Sequence, residues 1–246
     1  MPEIHRPVRL LTFDLYDTLI ELNPPRWVRL ARACRGLGIE ADAGALRDAD
    51  AVSEDFFTVE NGRWPIRDRD RQEREEFRLE LLRRWLEAAG MSADPDAVAQ
   101  LRAAYLAEFD TGPDHHQYRL FDDVMPALET LRAHGVRTAV ISNADADVTV
   151  ICTHFAFAEK MDLIVTSALV GYEKPDARTF HAALDHFGID PAETLHVGDQ
   201  RKSDVVGAGA VGMQQALIDR YDRHADHPGL RVATLTELAD LVTAGA

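Results

Sequence analysis

The sequence predicts an α/β protein: a doubly wound parallel sheet carrying an inserted all-α domain. Two observations predict it. From Leu120 onward, short apolar runs alternate with segments of helical periodicity, the pattern of parallel strands joined by right-handed crossovers with helices on both faces. A further apolar run, Val8-Arg9-Leu10-Leu11-Thr12, stands far ahead of these, beyond a long block with no strand pattern. The sheet domain is therefore expected to be discontinuous. Residues 1–21 supply one strand, residues 114–246 the rest, and residues 22–113 the helical insertion.

Each element has a local reason. The run Val8–Thr12 reads as a short buried strand, and Asp14 follows at its carboxyl end, where open α/β sheets place their ligands. Thr18, four residues on, can return a hydroxyl to the same point. Glu21-Leu22-Asn23-Pro24-Pro25 breaks the chain. Leu30, Ala33, Cys34 and Leu37 share a helical face that ends at Gly38, and a second helix is expected over residues 45–57. A third covers residues 71–89 with a stripe of Phe77, Leu81, Leu82 and Trp85, and a fourth starts at Pro95 behind the cap residue Asp94. The run Arg67–Arg71 reads as a solvated helix start, and Trp64, Trp85 and Tyr105 as packing within this block.

In the second part of the chain, Asp122-Asp123 precede a helix that runs to Ala133 and closes at Gly135. Strands are expected at 136–141, 163–165, 194–197 and 213–218, with a small edge strand at 231–233. Helices at 147–155, 176–187 and 203–211, and one from Leu235, connect or follow them.

Composition narrows the function classes. Hydrophobic residues make up 46% of the 246 and charged residues 28%, a globular profile with ample core material. A net charge of −15 argues against nucleic acid as a partner and disfavours anionic membranes. An anionic ligand would need a metal ion or helix N-termini to overcome that field. No apolar run has the length of a membrane span, the N-terminus lacks a signal-peptide core, and two cysteines are too few for a disulfide framework. A cytoplasmic protein, monomer or homodimer, is expected.

Three of the predicted strands end in polar groups: Asp14, Ser142-Asn143, and Asp199 with Asp204 five residues later. All would face one crevice at the carboxyl edge of the sheet. Lys174 precedes a helix between the second and third of these. The set is chemically coherent. Carboxylates hold a hard cation such as Mg²⁺, a lysine offsets their repulsion and keeps a nucleophile ionised, and a serine hydrogen-bonds an anionic oxygen. Duller readings stand beside these. Asn143 and Asp204 are also good helix caps, and His196, inside a strand, reads as packed or bonded to backbone.

Asp14-Leu15-Tyr16-Asp17-Thr18-Leu19, Ile141-Ser142-Asn143, Glu173-Lys174-Pro175-Asp176 and His196-Val197-Gly198-Asp199 with Asp204 resemble, in order and spacing, the four motifs of the haloacid dehalogenase superfamily. The insertion resembles that superfamily's cap, placed after the first motif. The resemblance implies a Rossmann-like core, an Asp14 nucleophile that forms a covalent aspartyl intermediate, and a Mg²⁺ cofactor. It implies Asp14, the Tyr16 carbonyl, Asp199 and Asp204 as metal ligands, with Asp204 alternatively orienting Lys174. Thr18, Ser142, Asn143 and Tyr16 would meet the transferred group, and Lys174 would neutralise its charge. The implied substrate is a small phosphorylated metabolite, with specificity set by the cap and its hinges at Asn23–Pro25 and Gly112–Pro113.

One position departs from the phosphatase pattern. Most phosphatases of the superfamily carry a second Asp, the general acid and base, where this chain has Tyr16. A phenol with a pKa near ~10 is a poor base at neutral pH, and the adjacent Asp17 points the other way in an extended segment. A Tyr here also occurs in the metal-independent 2-haloacid dehalogenases, which carry Ser and Asn where this chain has Gly198-Asp199. A Mg²⁺-dependent phosphatase is the leading expectation. A metal-independent dehalogenase-type hydrolase and a catalytically attenuated ligand-binding protein are the alternatives.

Overall fold

The computed structural model describes residues 4–109 and 114–244, so the expected hinge at Gly112–Pro113 lies outside the described residues. The chain separates into two compact units, one formed by Met1–Glu21 with Arg119–Ala246, the other by Leu22–Tyr118. The second division thus falls at 118/119, where the sequence suggested 113/114.

In chain order, β1 (Leu10–Phe13) and β2 (Ile20–Leu22) lead into four helices of the second unit: α1 (Arg26–Gly36), α2 (Ala43–Arg63), α3 (Arg71–Ala88) and α4 (Pro95–Leu106). The chain returns through β3 (Tyr118–Leu120) into α5 (Val124–Ala133), β4 (Arg137–Ser142), α6 (Thr149–His154), β5 (Leu163–Thr166) and α7 (Ser167–Val170). Then come α8 (Ala177–Phe187), β6 (Thr194–Gly198), α9 (Gly207–Ala210), β7 (Gln214–Ile218), β8 (Leu230–Val232) and α10 (Leu235–Ala244). A π-helical turn, Arg201–Val206, leads into α9.

The six-stranded sheet runs β5-β4-β1-β6-β7-β8, parallel throughout. Its central strands β1 and β6 are buried along their whole length, β1 as a largely apolar run and β6 with Thr194 and His196 buried among its apolar residues. The chain builds outward from β1 through β4 to β5, then crosses back to lay β6 on the other side of β1. That reversal makes the carboxyl end of β1 the topological switch point, the crevice where such sheets bind ligands. Register fixes the alignment there. Phe13 pairs with Val140 and with Val197, so Asp14 follows β1 at the level where β4 nears Ser142 and β6 ends at Gly198.

Helices cover the sheet. The buried set Ile141, Val165, Phe180, Ala183, Leu184, Ala208 and Met213 joins β4, β5, α8 and α9 into one core. Burying a residue such as Phe180 contributes about 1.5–3 kcal/mol. The strands β2 and β3 form a separate two-stranded sheet that the sequence did not suggest, because three residues are too few to show a period.

In the helical unit, α2 begins behind Asp42, which caps the Ala45 N–H at 2.7 Å, and runs to Arg63 rather than stopping at 57. The expected stripe of α3 is rotated slightly: Phe77, Leu82, Trp85 and Leu86 are buried, and Leu81 is only half-buried. Trp85 donates its indole N–H to the Leu46 carbonyl at 2.6 Å, and Tyr105 meets its ring edge-on. Two expectations are corrected here. Leu37, assigned to the buried face of α1, is 42% exposed, and Trp64, assigned to packing, is 44% exposed. Arg69, read as solvated, lies over both the Trp64 and Phe77 rings and donates to the Trp64 carbonyl at 2.9 Å. The neighbouring Asp70 and Glu73 close a capping box at the start of α3.

Gly207, at the start of α9, marks close packing in the core. A Cβ there would stand 2.8 Å from the Phe180 ring and 3.1 Å from the Pro175 Cα. Gly207→Ala is therefore expected to destabilise the chain by about 1–3 kcal/mol, as overpacking does. Chemical denaturation of the purified variant measures it.

Candidate active site

The first loop is built by the strand before it. The Asp14 N–H still donates to the Val197 carbonyl at 2.8 Å, so Asp14 is held as an extension of β1. The chain then turns sharply: the Leu15 carbonyl accepts both the Leu19 and Ile20 N–H groups, at 2.8 and 3.1 Å. Asp17 takes up the left-handed conformation this turn requires, with φ at 57°, which Asp tolerates better than most residues. Thr18 is fully buried, and Arg220 fixes it by donating to its carbonyl at 2.6 and 3.2 Å. The Thr18 hydroxyl has no hydrogen-bond partner among the described residues.

Lys174 is the pivot of the site. Its ammonium, 4% exposed as a residue, donates to Asp14 Oδ1 at 2.5 Å and to Asp204 Oδ1 at 2.7 Å. Its main chain is gripped at both ends by Asn143, whose carboxamide accepts from the Lys174 N–H at 2.7 Å and donates to the Lys174 carbonyl at 2.9 Å. Asn143 was expected to meet substrate; its amide instead positions the lysine.

Asp204 is fully engaged. Besides Lys174, its Oδ1 accepts from His196 Nε2 at 3.2 Å, and its Oδ2 accepts from the Gln200 N–H at 3.0 Å. Gly198 makes room for it: a Cβ on that residue would fall 2.2 Å from the Asp204 carboxyl carbon. His196 was read as packed or bonded to backbone; it is packed against the Phe180 ring, and both its ring nitrogens meet side chains, the second lying 2.9 Å from the Thr12 hydroxyl. Burial lowers the His196 pKa, so the ring is neutral near pH 7. The network then assigns its proton to Nε2, facing Asp204.

Asp199 and Ser142 are buried and differently placed. Neither Asp199 oxygen nor the Ser142 hydroxyl has a hydrogen-bond partner among the described residues. Such groups are costly to bury unless a ligand completes them.

The electrostatics separate the carboxylates. Burial pushes the Asp14 carboxyl up to about 7, with the Lys174 ammonium pulling it down and Asp204 pushing it up. Burial also raises Asp199 well above the usual carboxylate range, reinforced by Asp17, Asp14 and Asp204 and opposed by Arg223. Burial acts on Asp204 in the same sense, but the Lys174 charge and the His196 hydrogen bond outweigh it and hold that carboxyl below the usual range. Lys174 itself is raised: Asp14 and Asp204 overcome the burial that would lower it.

Oxygens of Asp14, Asp199 and Asp204 lie within 4.8 Å of one another. An oxygen-rich cluster with an orphaned, buried carboxylate fits a hard divalent cation. Asp14 and Asp199 are the better placed to hold it, since three donors already occupy the Asp204 carboxylate.

The fold thus brings Asp14, Thr18, Ser142, Asn143, Lys174, Asp199 and Asp204 to one sheet edge. Sequence reasoning missed Thr12, Arg220 and Arg223. The two arginines follow the carboxyl end of β7, so the strand-end rule that found Asp14 would have found them. Thr12 and His196 lie inside strands, where nothing in the pattern separates a hydrogen-bonded pair from ordinary core.

This fold and site define a class, and the comparisons agree with it. The haloacid dehalogenase-like hydrolase family matches residues 8–212. The chain is 31% identical over 216 residues to haloacid dehalogenase-like hydrolase domain-containing protein 3 of Bos taurus, covering 86% of this chain and 82% of that protein. It is 32% identical over 166 residues to a phosphoserine phosphatase of Thermus thermophilus, covering 66% of this chain and 64% of that one. Among solved structures, the magnesium-bound HAD-hydrolase YfnB of Bacillus subtilis superposes with a TM-score of 0.62 at 17% identity, over 96% of this chain and 99% of that chain. The chain belongs to the haloacid dehalogenase-like hydrolases.

The raised Asp14 pKa has a consequence for stability. The folded state retains a proton on Asp14 that the unfolded chain releases from about 3.8 upward, so this group favours folding less as pH rises to about 7. Without divalent cations, Asp14→Asn should therefore gain stability relative to the unsubstituted chain between pH 4 and 7, and level off above. Urea denaturation of both proteins across that range measures the difference. A gap that narrows as pH rises would contradict it.

Proposed function

We propose that the chain is a Mg²⁺-dependent phosphatase that acts on a small phosphorylated metabolite through an aspartyl-phosphate on Asp14. One observation carries this reading: a buried carboxylate against a lysine, 2.5 Å away, beside a second carboxylate and two hydroxyls with no partner of their own. The phosphatase relative supports the phosphate side of it.

Asp14 would attack phosphorus in line with the leaving oxygen, and that bond would break with its electron pair on the alcohol. Lys174 pulls the Asp14 pKa down against burial and would face the charge that spreads over the phosphoryl oxygens. The Thr18 and Ser142 hydroxyls would donate to two of those oxygens, and preorganised donors of this kind stabilise the transition state. Asp204 holds Lys174 in place. Water would then attack phosphorus and return the Asp14 carboxylate. Asp14, Asp199 and the Tyr16 carbonyl would hold Mg²⁺, which supplies charge neutralisation of the phosphoryl group.

Tyr16 leaves the leaving alcohol without the carboxylic acid that most phosphatases of the superfamily carry at that position. Activity should therefore be slow, and substrates with good leaving groups should turn over best. The same residue favours a second reading, a metal-independent hydrolase of 2-halo acids, in which Asp14 displaces halide from carbon. The alternative of a ligand-binding protein with attenuated chemistry shares the same site.

With an aryl phosphate and Mg²⁺, turnover should appear and should vanish in Asp14→Asn or on chelation. Tyr16→Asp should raise kcat for alkyl phosphates by about 10²-fold, within the range general acid catalysis supplies. Chloride release from a 2-chloro acid in the presence of a chelator would favour the second reading instead. Absence of turnover on a broad phosphate panel, by Tyr16→Asp as well, would count against a phosphatase.

A further inference from the structure

Lys174 neutralises Asp14 and Asp204, and Asp199 has a cation of its own. The Arg223 side chain is 3% exposed, and its Nη2 stands 3.6 Å from Asp199 Oδ2. That distance is inside the range of a strong Coulomb attraction and outside that of a hydrogen bond. The guanidinium therefore offsets the charge of Asp199 and leaves both its oxygens open. The carboxylates Asp17, Asp14 and Asp204 act on Asp199 in the opposite sense.

The loop that carries Arg223 is folded for the purpose. The carboxylate of Asp219, just past β7, accepts the Arg223 N–H at 2.8 Å, the His224 N–H at 2.8 Å and the Arg231 guanidinium at 2.9 Å. These bonds fix where the Arg223 main chain starts. An arginine cannot shed its proton, so the charge beside Asp199 is permanent.

We propose that Arg223 is the resident counter-ion of Asp199 and competes with a divalent cation for that carboxylate, so that metal loading is weak and readily reversed. The proposal rests on the metal-site reading above. It follows from placement: a cation bound to Asp199 would sit in the same buried space as a fixed positive charge, and like charges repel strongly there. Arg223 also explains how Asp199 is tolerated without metal, since a buried carboxylate surrounded only by other carboxylates would be far more costly.

The proposal predicts an effect opposite to that of losing a ligand. Asp199→Asn should weaken Mg²⁺ binding, while Arg223→Gln and Arg223→Met should strengthen it. Calorimetric titration of the full chain with MgCl₂ at pH 8 measures this, with circular dichroism to confirm folding. Removing the charge should lower the Mg²⁺ Kd about tenfold or more, and Arg223→Lys, which keeps it, should stay within about threefold of the unsubstituted chain. If Arg223→Met does not fold, Arg223→Gln, which retains a polar planar head, carries the comparison. Measurable binding that is unchanged or weaker in the neutral variants overturns this proposal alone. No Mg²⁺ binding by any of the proteins overturns it together with the metal-dependent reading.

Discussion

The bridge from the Lys174 ammonium to Asp14 and Asp204 is the interaction on which the site depends. A lone lysine buried to this degree would lose its proton, and two carboxylates this close would compete for one. Together the three groups satisfy one another: one positive charge lies between two negative ones, at 2.5 and 2.7 Å. Asp14 and Asp204 follow β1 and β6, adjacent strands, whereas Lys174 arrives on the loop before α8. The ion bridge therefore joins parts of the sheet domain that are far apart in sequence.

Much of the surrounding structure serves to hold that bridge in register. Asn143 binds the Lys174 peptide on both sides, His196 and Gln200 complete the Asp204 carboxylate, and Thr12 completes His196. Two glycines supply the clearance. Gly198 lets Asp204 approach β6, and Gly207 lets Pro175 and Phe180 close over α9. Phe180 in turn lies edge-on against the His196 ring, at 5.2 Å, so the hydrophobic core supports the polar chain directly. Each contact is modest in itself. Buried networks of this kind are worth having only when every member is satisfied, and here the Lys174–Asp204–His196–Thr12 chain is.

At this sheet edge Asp199, Ser142 and Thr18 carry buried oxygens with no hydrogen-bond partner among the described residues. The contrast within one cluster is informative. Asp204 is surrounded by donors and held ionised, while Asp199 has open oxygens and a pKa pushed up by burial and by its acidic neighbours. Similar residue types thus divide into a scaffold role and a receptive one through environment alone.

The sequence by itself determined the order of the six strands of the main sheet and of most helices, the discontinuous sheet domain, and the polar residues at the strand ends. These depend on local pattern: short, mostly apolar runs for buried strands, and a polar residue where several of them stop. It also determined the family, because four short motifs recur in order. What only the tertiary structure decided is how those residues pair. Asn143 reads in sequence as a cap or substrate contact and serves the Lys174 main chain. His196 reads as core and holds Asp204. Arg223 follows the carboxyl end of β7, and it matters because the loop there folds around Asp219 and brings the guanidinium beside Asp199. Pairings of this kind join residues dozens of positions apart. No period or motif in the chain encodes them, since they arise only when the register of the sheet brings its strand ends to one edge.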